Sequence, residues 1–297
     1  MNELSKKLIF ENKKRNTKKE KEEFIQELSS KYDCTFHQNK SGGIRNIIIG
    51  DLNNAKVIYT TSYDTPTISQ SDTIPFPESK LLHFLTIGAK IIFLLFLIMI
   101  PVLIFCFGME TSNFYFLVFF LPIMLFSNSQ AKHTKNTSGV ATLIELIDKM
   151  DDEDKKNCAF VFFDASEYYR IGSKIFYKAH KELLDSKLVV NLDGTGTGEN
   201  ILFTYKKENE SYVENLNPYF ENLNNLKLQK KEKFRRHHSD HLSFKNSVCI
   251  STASHTKIFG NFINKDMRMP SLVELYTNNV EQIALALCEY QKGLNDN

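Results

Sequence analysis

The chain has 297 residues, and its 37 Lys and Arg nearly balance its 35 Asp and Glu, so the formal net charge is only +2. This balance gives no electrostatic basis for binding nucleic acid, and we expect no nucleic-acid partner. The length allows a core that folds without disulfides, and the five scattered cysteines lack the CxxC spacing of a thiolate zinc site, which indicates a reducing compartment.

Residues 1–30 are predicted to form a basic amphipathic helical segment. Apolar side chains recur at helical spacing among eight Lys and Arg that precede residue 22. Two interpretations of this segment remain open. Either it packs one face on the folded domain, or it rests on anionic lipid at a membrane surface.

Residues 84–126 are predicted to form a transmembrane hairpin. Ile91–Phe107 is an apolar run of seventeen residues, extended upstream by 84–89, and Phe114–Phe126 is a second run of thirteen. A helix rises 1.5 Å per residue, so the first run can cross a hydrocarbon core about 30 Å thick. The second run crosses it only with help from its flanks, or it is re-entrant. A pair of buried helices in a soluble core is the alternative.

Flanking charges predict the topology of this hairpin. Lys80 and Lys90 precede the first run, and Lys132 and Lys135 follow the second. The only charged residue of the connecting turn is Glu110. The positive-inside rule therefore predicts an integral protein of the cell membrane with both soluble flanks in the cytosol. Because the flanks share a compartment, 31–80 and 131–297 can form one domain.

Strand and helix patterns alternate on both sides of the hairpin. Apolar runs without strict polar alternation, typical of strands buried on both faces, lie at 45–51, 56–64, 158–166, 187–193, 201–205 and 248–253. Helical periodicity is found at 138–150, 169–184, 212–226 and 279–292. This alternation predicts an α/β domain, with a doubly wound mixed sheet and helices on both faces.

Three acids follow three of the predicted strands, namely Asp64, Glu167 and Asp193. In doubly wound sheets the functional crevice lies at the carboxyl ends of the strands, so these acids are candidates for a functional site. The spacing is equally compatible with acids that only occupy loops.

Several segments, in order along the chain, resemble landmarks of the di-zinc aminopeptidases of peptidase family M28. TTSYDTP at 60–66 resembles the family's A-H-Y-D-T-P, and NTSGVATL at 136–143 resembles D-N-x-S-G-V-A-x-L. FFDASEYYRIGS at 162–173 resembles F-D-x-E-E-x-G-L-x-G-S, and VNLDG at 190–194 resembles N-x-D-x-x-G. Residues 265–281 take the place of the final H-T-x-x-D-T element and closing helix. The resemblance implies a zinc-exopeptidase-like fold interrupted by the hairpin.

The resemblance also implies two zinc ions, held by two His, a bridging Asp, a Glu and another Asp, with a neighbouring Glu as general base. In this sequence Glu167 and Asp193 retain the ligand Glu and the ligand Asp. Asp64 retains the position that orients the first ligand His. Two ligands of five cannot hold zinc tightly, so we expect no cofactor in an inactive protein and zinc only in an active one.

The other positions of this implied site are replaced. Ser62 stands at the first His, Lys135 at the bridging Asp and Ser166 at the general base, and the final His has no counterpart. No residue is therefore assigned as catalytic. Lys135 either serves as a built-in cation among the remaining acids or points to solvent or lipid headgroups.

Histidines of the RRHHSDH segment offer a different metal site. His237, His238 and His241 precede or belong to an element, SDHLSF at 239–244, that resembles the family's S-D-x-x-x-F. They could rebuild a metal site, or they could belong to a solvated basic loop.

Three functions stay open. The first is a membrane-anchored pseudopeptidase that binds a peptide or protein partner without cleaving it. The second is an active membrane-bound zinc metalloexopeptidase with a remodelled metal site. The third is a membrane-hairpin adaptor whose crevice is vestigial.

Overall fold

The structure is a computed structural model, and it describes residues 1–11, 15–39, 43–65, 73–74, 88, 92, 95, 137–166, 169–221, 223, 227–231, 239–256, 260–264 and 270–295. Its α-helices are α1 (Glu3–Glu11), α2 (Lys18–Ser29), α3 (Thr137–Lys149), α4 (Asp152–Lys155), α5 (Ile171–Ala179), α6 (Lys181–Leu184), α7 (Glu210–Leu216) and α8 (Pro270–Asn295). Short 3-10 helices are found at Lys207–Asn209, Asn217–Tyr219 and Asp240–Ser243. The strands are β1 (Cys34–Gln38), β2 (Arg45–Gly50), β3 (Val57–Ser62), β4 (Thr73–Ile74), β5 (Cys158–Phe163), β6 (Leu188–Leu192), β7 (Asn200–Tyr205), β8 (Lys227–Lys231), β9 (Ser247–Thr256) and β10 (Gly260–Asn264).

A mixed sheet forms the centre of the domain, in the order β1-β2-β5-β3-β6-β9-β10-β4. The strands β5, β3, β6 and β9 run parallel to one another, whereas β1, β2 and β10 pair antiparallel with their neighbours. The strand β7 also pairs antiparallel with β9, and β8 pairs with β7. The predicted α/β class with a mixed sheet is confirmed.

Side chains of the central strands alternate between two apolar clusters, one on each face of the sheet. Phe160 and Phe162 of β5 belong to the larger cluster, which also contains residues of α1, α2, α3 and α8. Val161 and Phe163 belong to the smaller one, together with Phe176 of α5 and other side chains. Because successive side chains of a strand point to opposite faces, helices cover both faces, and this explains why the strand sequences are continuously apolar.

The predicted N-terminal helical segment consists of two helices rather than one. A capping box begins α2, in which Thr17 and Glu20 exchange hydrogen bonds between side chain and backbone. Leu8 of α1 and Leu28 of α2 are buried in the larger cluster. One face of each helix therefore packs on the domain.

Two predicted helices differ from the structure for identifiable reasons. The expected helix at 169–184 begins only at Ile171, because Tyr169 and Arg170 are left-handed, and His180 separates α5 from α6. The expected helix at 212–226 ends early, and Pro218 lies in the 3-10 turn that follows α7. Proline lacks the N–H that an α-helix needs at that point.

The predicted hairpin at 84–126 lies outside the described residues, apart from Gly88, Ile92 and Leu95. In the part of the chain that the structure describes, no helix has the length and apolar character needed to cross a bilayer.

Candidate functional site

The carboxyl ends of β3, β5 and β6 meet at one edge of the sheet. Ser62 at the end of β3 is in register with Phe163 of β5, and Thr60 is in register with Asn191 of β6. The residues that follow these strands, including Asp64, Ser166 and Asp193, therefore lie along the same edge. Asp64 is buried, and Asp193 is half-buried.

Two glycines of the recognised motifs let backbone segments approach this edge closely. A Cβ on Gly139 of α3 would lie 2.4 Å from both the carbonyl oxygen of Leu192 and Oγ1 of Thr61. A Cβ on Gly172 of α5 would lie 1.9 Å from the carbonyl oxygen of Asp164. Real Cβ atoms do not come that close, so only glycine lets these helices begin against the strand ends.

At this edge the buried carboxylate of Asp240 accepts hydrogen bonds from three serine hydroxyls. Ser62 and Ser166 both donate to its Oδ2, the latter at 2.8 Å, and Ser173 donates to its Oδ1 at 2.5 Å. Ser173 is also 2.9 Å from the hydroxyl of Ser243. The Asp240 side chain is 1% exposed. We call Asp240 and the three donor serines the serine–aspartate cluster.

Burial raises the pKa of Asp240 above its ordinary value. The three serine hydrogen bonds favour the carboxylate and act against this shift, and the nearby charge of Asp193 adds to it. Two acids, Asp193 and Asp240, are thus close enough to interact electrostatically at the same edge.

The loop that carries Ser166 has a strained backbone. Ala165, Tyr169 and Arg170 have φ angles of 51°, 57° and 60°, which are uncommon for residues other than glycine. Tyr169 is nevertheless 87% exposed. The amide of Ser166 donates to Oδ1 of Asp64 at 3.2 Å, so the buried acid helps to hold the loop in place. Strain of this kind often accompanies functional sites.

A buried cation that the sequence did not single out lies beside this edge. Arg15, between α1 and α2, donates from Nε to the carbonyl oxygen of Tyr63 at 2.6 Å and from Nη2 to Oγ1 of Thr137 at 2.9 Å. The sequence offered no signal for it, because Arg15 stands in a run of basic residues that reads as a solvated helix face.

Several predicted site residues lie outside the described residues, namely Lys135, Glu167, His237 and His238. His241 is described, is buried and lies in the 3-10 helix next to Asp240. The sequence indicates the Ser239–Asp240 element but not the serine–aspartate cluster. Its members are far apart in the chain, so no local pattern could have revealed it.

The described residues do not fit a di-zinc centre. Zinc takes about four donors, mainly imidazole nitrogen, thiolate or carboxylate. Ser62 and Ser166, which the resemblance aligns with a ligand His and the general base, present hydroxyl groups, and both direct their protons at Asp240. Among side chains with described positions, no group of three or more His, Cys, Asp and Glu could hold a metal ion.

Comparison with known families gives a match to peptidase family M28 over residues 134–281. This range contains α3, β5, β6 and three of the four members of the serine–aspartate cluster. No curated protein matches the chain at a significant level.

Solved structures share the fold. LapA aminopeptidase of Legionella pneumophila has a TM-score of 0.56 at 13% identity, over 97% of this chain and 68% of LapA. The glutaminyl cyclase of Macrostomum lignano has a TM-score of 0.55 at 12% identity, over 98% of this chain and 89% of the cyclase. That of Porphyromonas gingivalis has a TM-score of 0.54 at 13% identity, over 98% and 97%. At such identities the likeness shows the fold alone. The family match, together with the ordered motifs and the zinc-exopeptidase fold, shows that this chain belongs to peptidase family M28.

Proposed function

We propose that this chain is a membrane-anchored, aminopeptidase-like protein that binds a peptide or protein partner in its crevice without cleaving it. One observation carries the proposal. The hydroxyls of Ser62 and Ser166, at positions aligned with a metal ligand and the general base, are both engaged by the carboxylate of Asp240. At positions that the sequence resemblance assigns to the family's reactive groups, two hydroxyls are therefore already engaged with a buried acid.

The chemistry of these groups argues against peptide hydrolysis. A general base must accept a proton from water in the transition state, a contribution of roughly 10²–10⁴-fold to the rate. The Ser166 hydroxyl is itself a proton donor, and its proton is already shared with Asp240 at 2.8 Å. Ser166 therefore cannot replace a carboxylate base.

The loop beside the crevice supports a binding role. Tyr169 presents an exposed aromatic ring on a left-handed backbone, only a few residues after Ser166. Exposed aromatic side chains are enriched where proteins contact partners, and crevices at strand ends are the usual ligand sites of α/β sheets. A peptide or protein segment is the occupant that suits an aminopeptidase-like crevice.

Membrane anchoring is part of the same proposal and rests on the sequence. The apolar runs Ile91–Phe107 and Phe114–Phe126 supply the anchor, and the flanking lysines indicate that the domain faces the cytosol.

An active metalloexopeptidase is the second candidate. The observation that favours it is the electrostatic interaction between Asp193 and Asp240, because paired acids are a common feature of metal sites. In that case Glu167, Asp193 and histidines such as His241 would hold the zinc.

Turnover of aminoacyl chromogenic substrates separates the two candidates. The full-length chain, purified in detergent and supplied with zinc, should hydrolyse no member of a panel of such substrates faster than an Asp193→Ala variant prepared in parallel. The variant is the matched control for contaminating peptidases. A chelator-sensitive rate that Asp193→Ala abolishes would contradict the proposal.

A further inference from the structure

Arg15 is a fully buried cation, with only 1% of its surface exposed. Arginine is almost never fully buried unless it is paired, because removing its charge from water is costly. Burial lowers the pKa of Arg15 to about 10, and interactions with Tyr276 and Asp64 act against that shift. The guanidinium therefore remains charged at neutral pH.

The contacts of Arg15 join two places that are far apart in the sequence. Its backbone amide donates to Oγ1 of Thr65 at 2.8 Å, and the amide of Thr65 donates back to its carbonyl oxygen at 3.1 Å. Its side chain reaches Tyr63 at the end of β3 and Thr137 at the start of α3. Thr65 and Thr137 flank the segment 66–136, which contains the predicted membrane hairpin.

The surroundings of Arg15 stabilise its positive charge although the side chain is buried. The guanidinium carbon lies 5.5 Å from the centre of the Phe24 ring, and Phe24 in turn stacks on Tyr63 at 5.4 Å. Cation–π contacts strengthen when they are desolvated. The carboxylate of Asp64, whose Oδ1 accepts a hydrogen bond from the amide of Ser166, interacts electrostatically with this guanidinium.

We propose that Arg15 supplies the positive charge at this edge of the sheet, where it compensates the buried Asp64 carboxylate and clamps together Thr65 and Thr137, the described residues on either side of 66–136. The sequence had suggested Lys135 for such a role, and Lys135 lies outside the described residues. Arg15 is a positioning residue, because it acts on the Ser166 loop through Asp64. Arg15 can fill this role whether or not the protein cleaves peptides.

A double-mutant cycle tests the charge compensation. In the full-length chain in detergent, Arg15→Met should lower the melting temperature by roughly 5–10 °C, because it leaves Asp64 buried without its counter-charge. In an Asp64→Asn background the same change should lower it by less than half as much, because the acid is already neutral. Equal losses in the two backgrounds would overturn the proposal.

Lys21 provides the matched control. It lies in α2, the helix that follows Arg15, but pairs with Asp164 rather than Asp64. Lys21→Met should therefore lower the melting temperature equally with and without Asp64→Asn. A dependence of Lys21→Met on Asp64 as strong as that of Arg15→Met would show that the coupling is not specific, and it would also overturn the proposal.

A second cycle tests the clamp and remains available if Arg15→Met fails to fold. Arg15→Lys keeps the charge but lacks the second nitrogen that reaches Thr137, and Thr137→Val removes the acceptor while keeping the shape. We expect the combined loss in melting temperature to be clearly smaller than the sum of the two single losses. Additive losses would contradict the clamp.

Hydrogen exchange distinguishes a local clamp from a general loss of stability. In Arg15→Lys, amides of Tyr63–Thr65 and of Ser166 should lose protection more than amides of β7, which lies elsewhere in the sheet. A uniform loss of protection across these peptides would count against a role at the crevice.

Discussion

At the residue scale this edge of the sheet depends on Asp240, whose two carboxylate oxygens accept hydrogen bonds from Ser62, Ser166 and Ser173. The side chain is buried, and its pKa is raised because the hydrogen bonds from the hydroxyls only partly offset the free-energy cost of burying the charged form. Because its pKa is raised, protonation of Asp240 stabilises the folded state relative to the unfolded state.

Asp240 therefore makes stability depend on pH with a defined sign. Because its folded pKa is raised, its contribution is most favourable below the ordinary value of about 3.8 and is lost as the pH rises through the folded pKa. The melting temperature of the wild type should rise relative to that of Asp240→Asn as the pH is lowered toward 3.8. Melting curves of both proteins at matched pH values provide the test. A constant difference, or one of opposite sign, would refute the assignment.

Ser173 is the donor whose loss can be measured most simply. Ser173→Ala removes the hydrogen bond to Oδ1 of Asp240 and leaves a buried charged group less satisfied, at a cost of about 1–3 kcal/mol of unfolding free energy. Ser186→Ala is the control, since Ser186 is exposed and its hydroxyl donates to the carbonyl oxygen of Leu183. Denaturant unfolding of both variants gives the comparison, and equal small losses would contradict the importance of the cluster.

At the element scale the start of α5 depends on the absence of a side chain at Gly172. Gly172→Ala would push a Cβ against the backbone carbonyl of Asp164, so we expect a loss of about 2 kcal/mol or more. Gly293→Ala in α8 is the matched control. There the close neighbour is the far end of the Tyr219 side chain, which can move, and alanine favours the helix by about 1 kcal/mol. Similar losses at the two positions would show that the close approach of the Asp164 carbonyl to Gly172 does not determine which residue α5 can have there.

Elements with a clear apolar pattern could be predicted from the sequence, whereas edge elements could not. The strands β3, β5 and β6 are buried along their whole length, and their sequences show it. The strand β1 could not be predicted because, among the described strands, it pairs with β2 alone and its mostly polar side chains are exposed or half-buried. The strand β8, KLQKK, has three lysines in five residues, a composition typical of a charged loop.

The site was predictable only in part. Asp64 and Asp193 follow apolar strands, so their position at one edge of the sheet could be expected. The partners that define the chemistry could not, because Asp240 meets Ser62 from a distant part of the chain. Arg15 was hidden for a related reason, since burial of one cation within a basic run depends on tertiary contacts.

At the scale of the whole molecule, the family fold does not determine the reaction. Structures described as an aminopeptidase and as glutaminyl cyclases share this fold with the chain. The function must therefore be argued from the site, where Ser62 and Ser166, at positions that the family resemblance assigns to metal chemistry, donate hydrogen bonds to a buried acid.

The predicted hairpin gives a topology that can be tested on intact cells. Single cysteines at Thr111 and at Asp296, each in a background without other reactive cysteines, should be labelled by a membrane-impermeant thiol reagent from opposite sides of the membrane. The protein should also stay in the membrane fraction after washing with carbonate or high salt. Release by such a wash, or labelling of both sites from one side, would contradict integral anchoring with a cytosolic domain.

The metal content of the purified full-length chain tests the central claim most directly. Protein isolated without chelators and dialysed against a low concentration of zinc should retain no stoichiometric metal by elemental analysis. The reason is that the hydroxyls of Ser62 and Ser166 donate hydrogen bonds to Asp240 and do not supply the imidazole or carboxylate groups that bind zinc. Retention of one or two zinc ions per chain, lost in Asp193→Ala, would contradict the account and favour an active metallopeptidase.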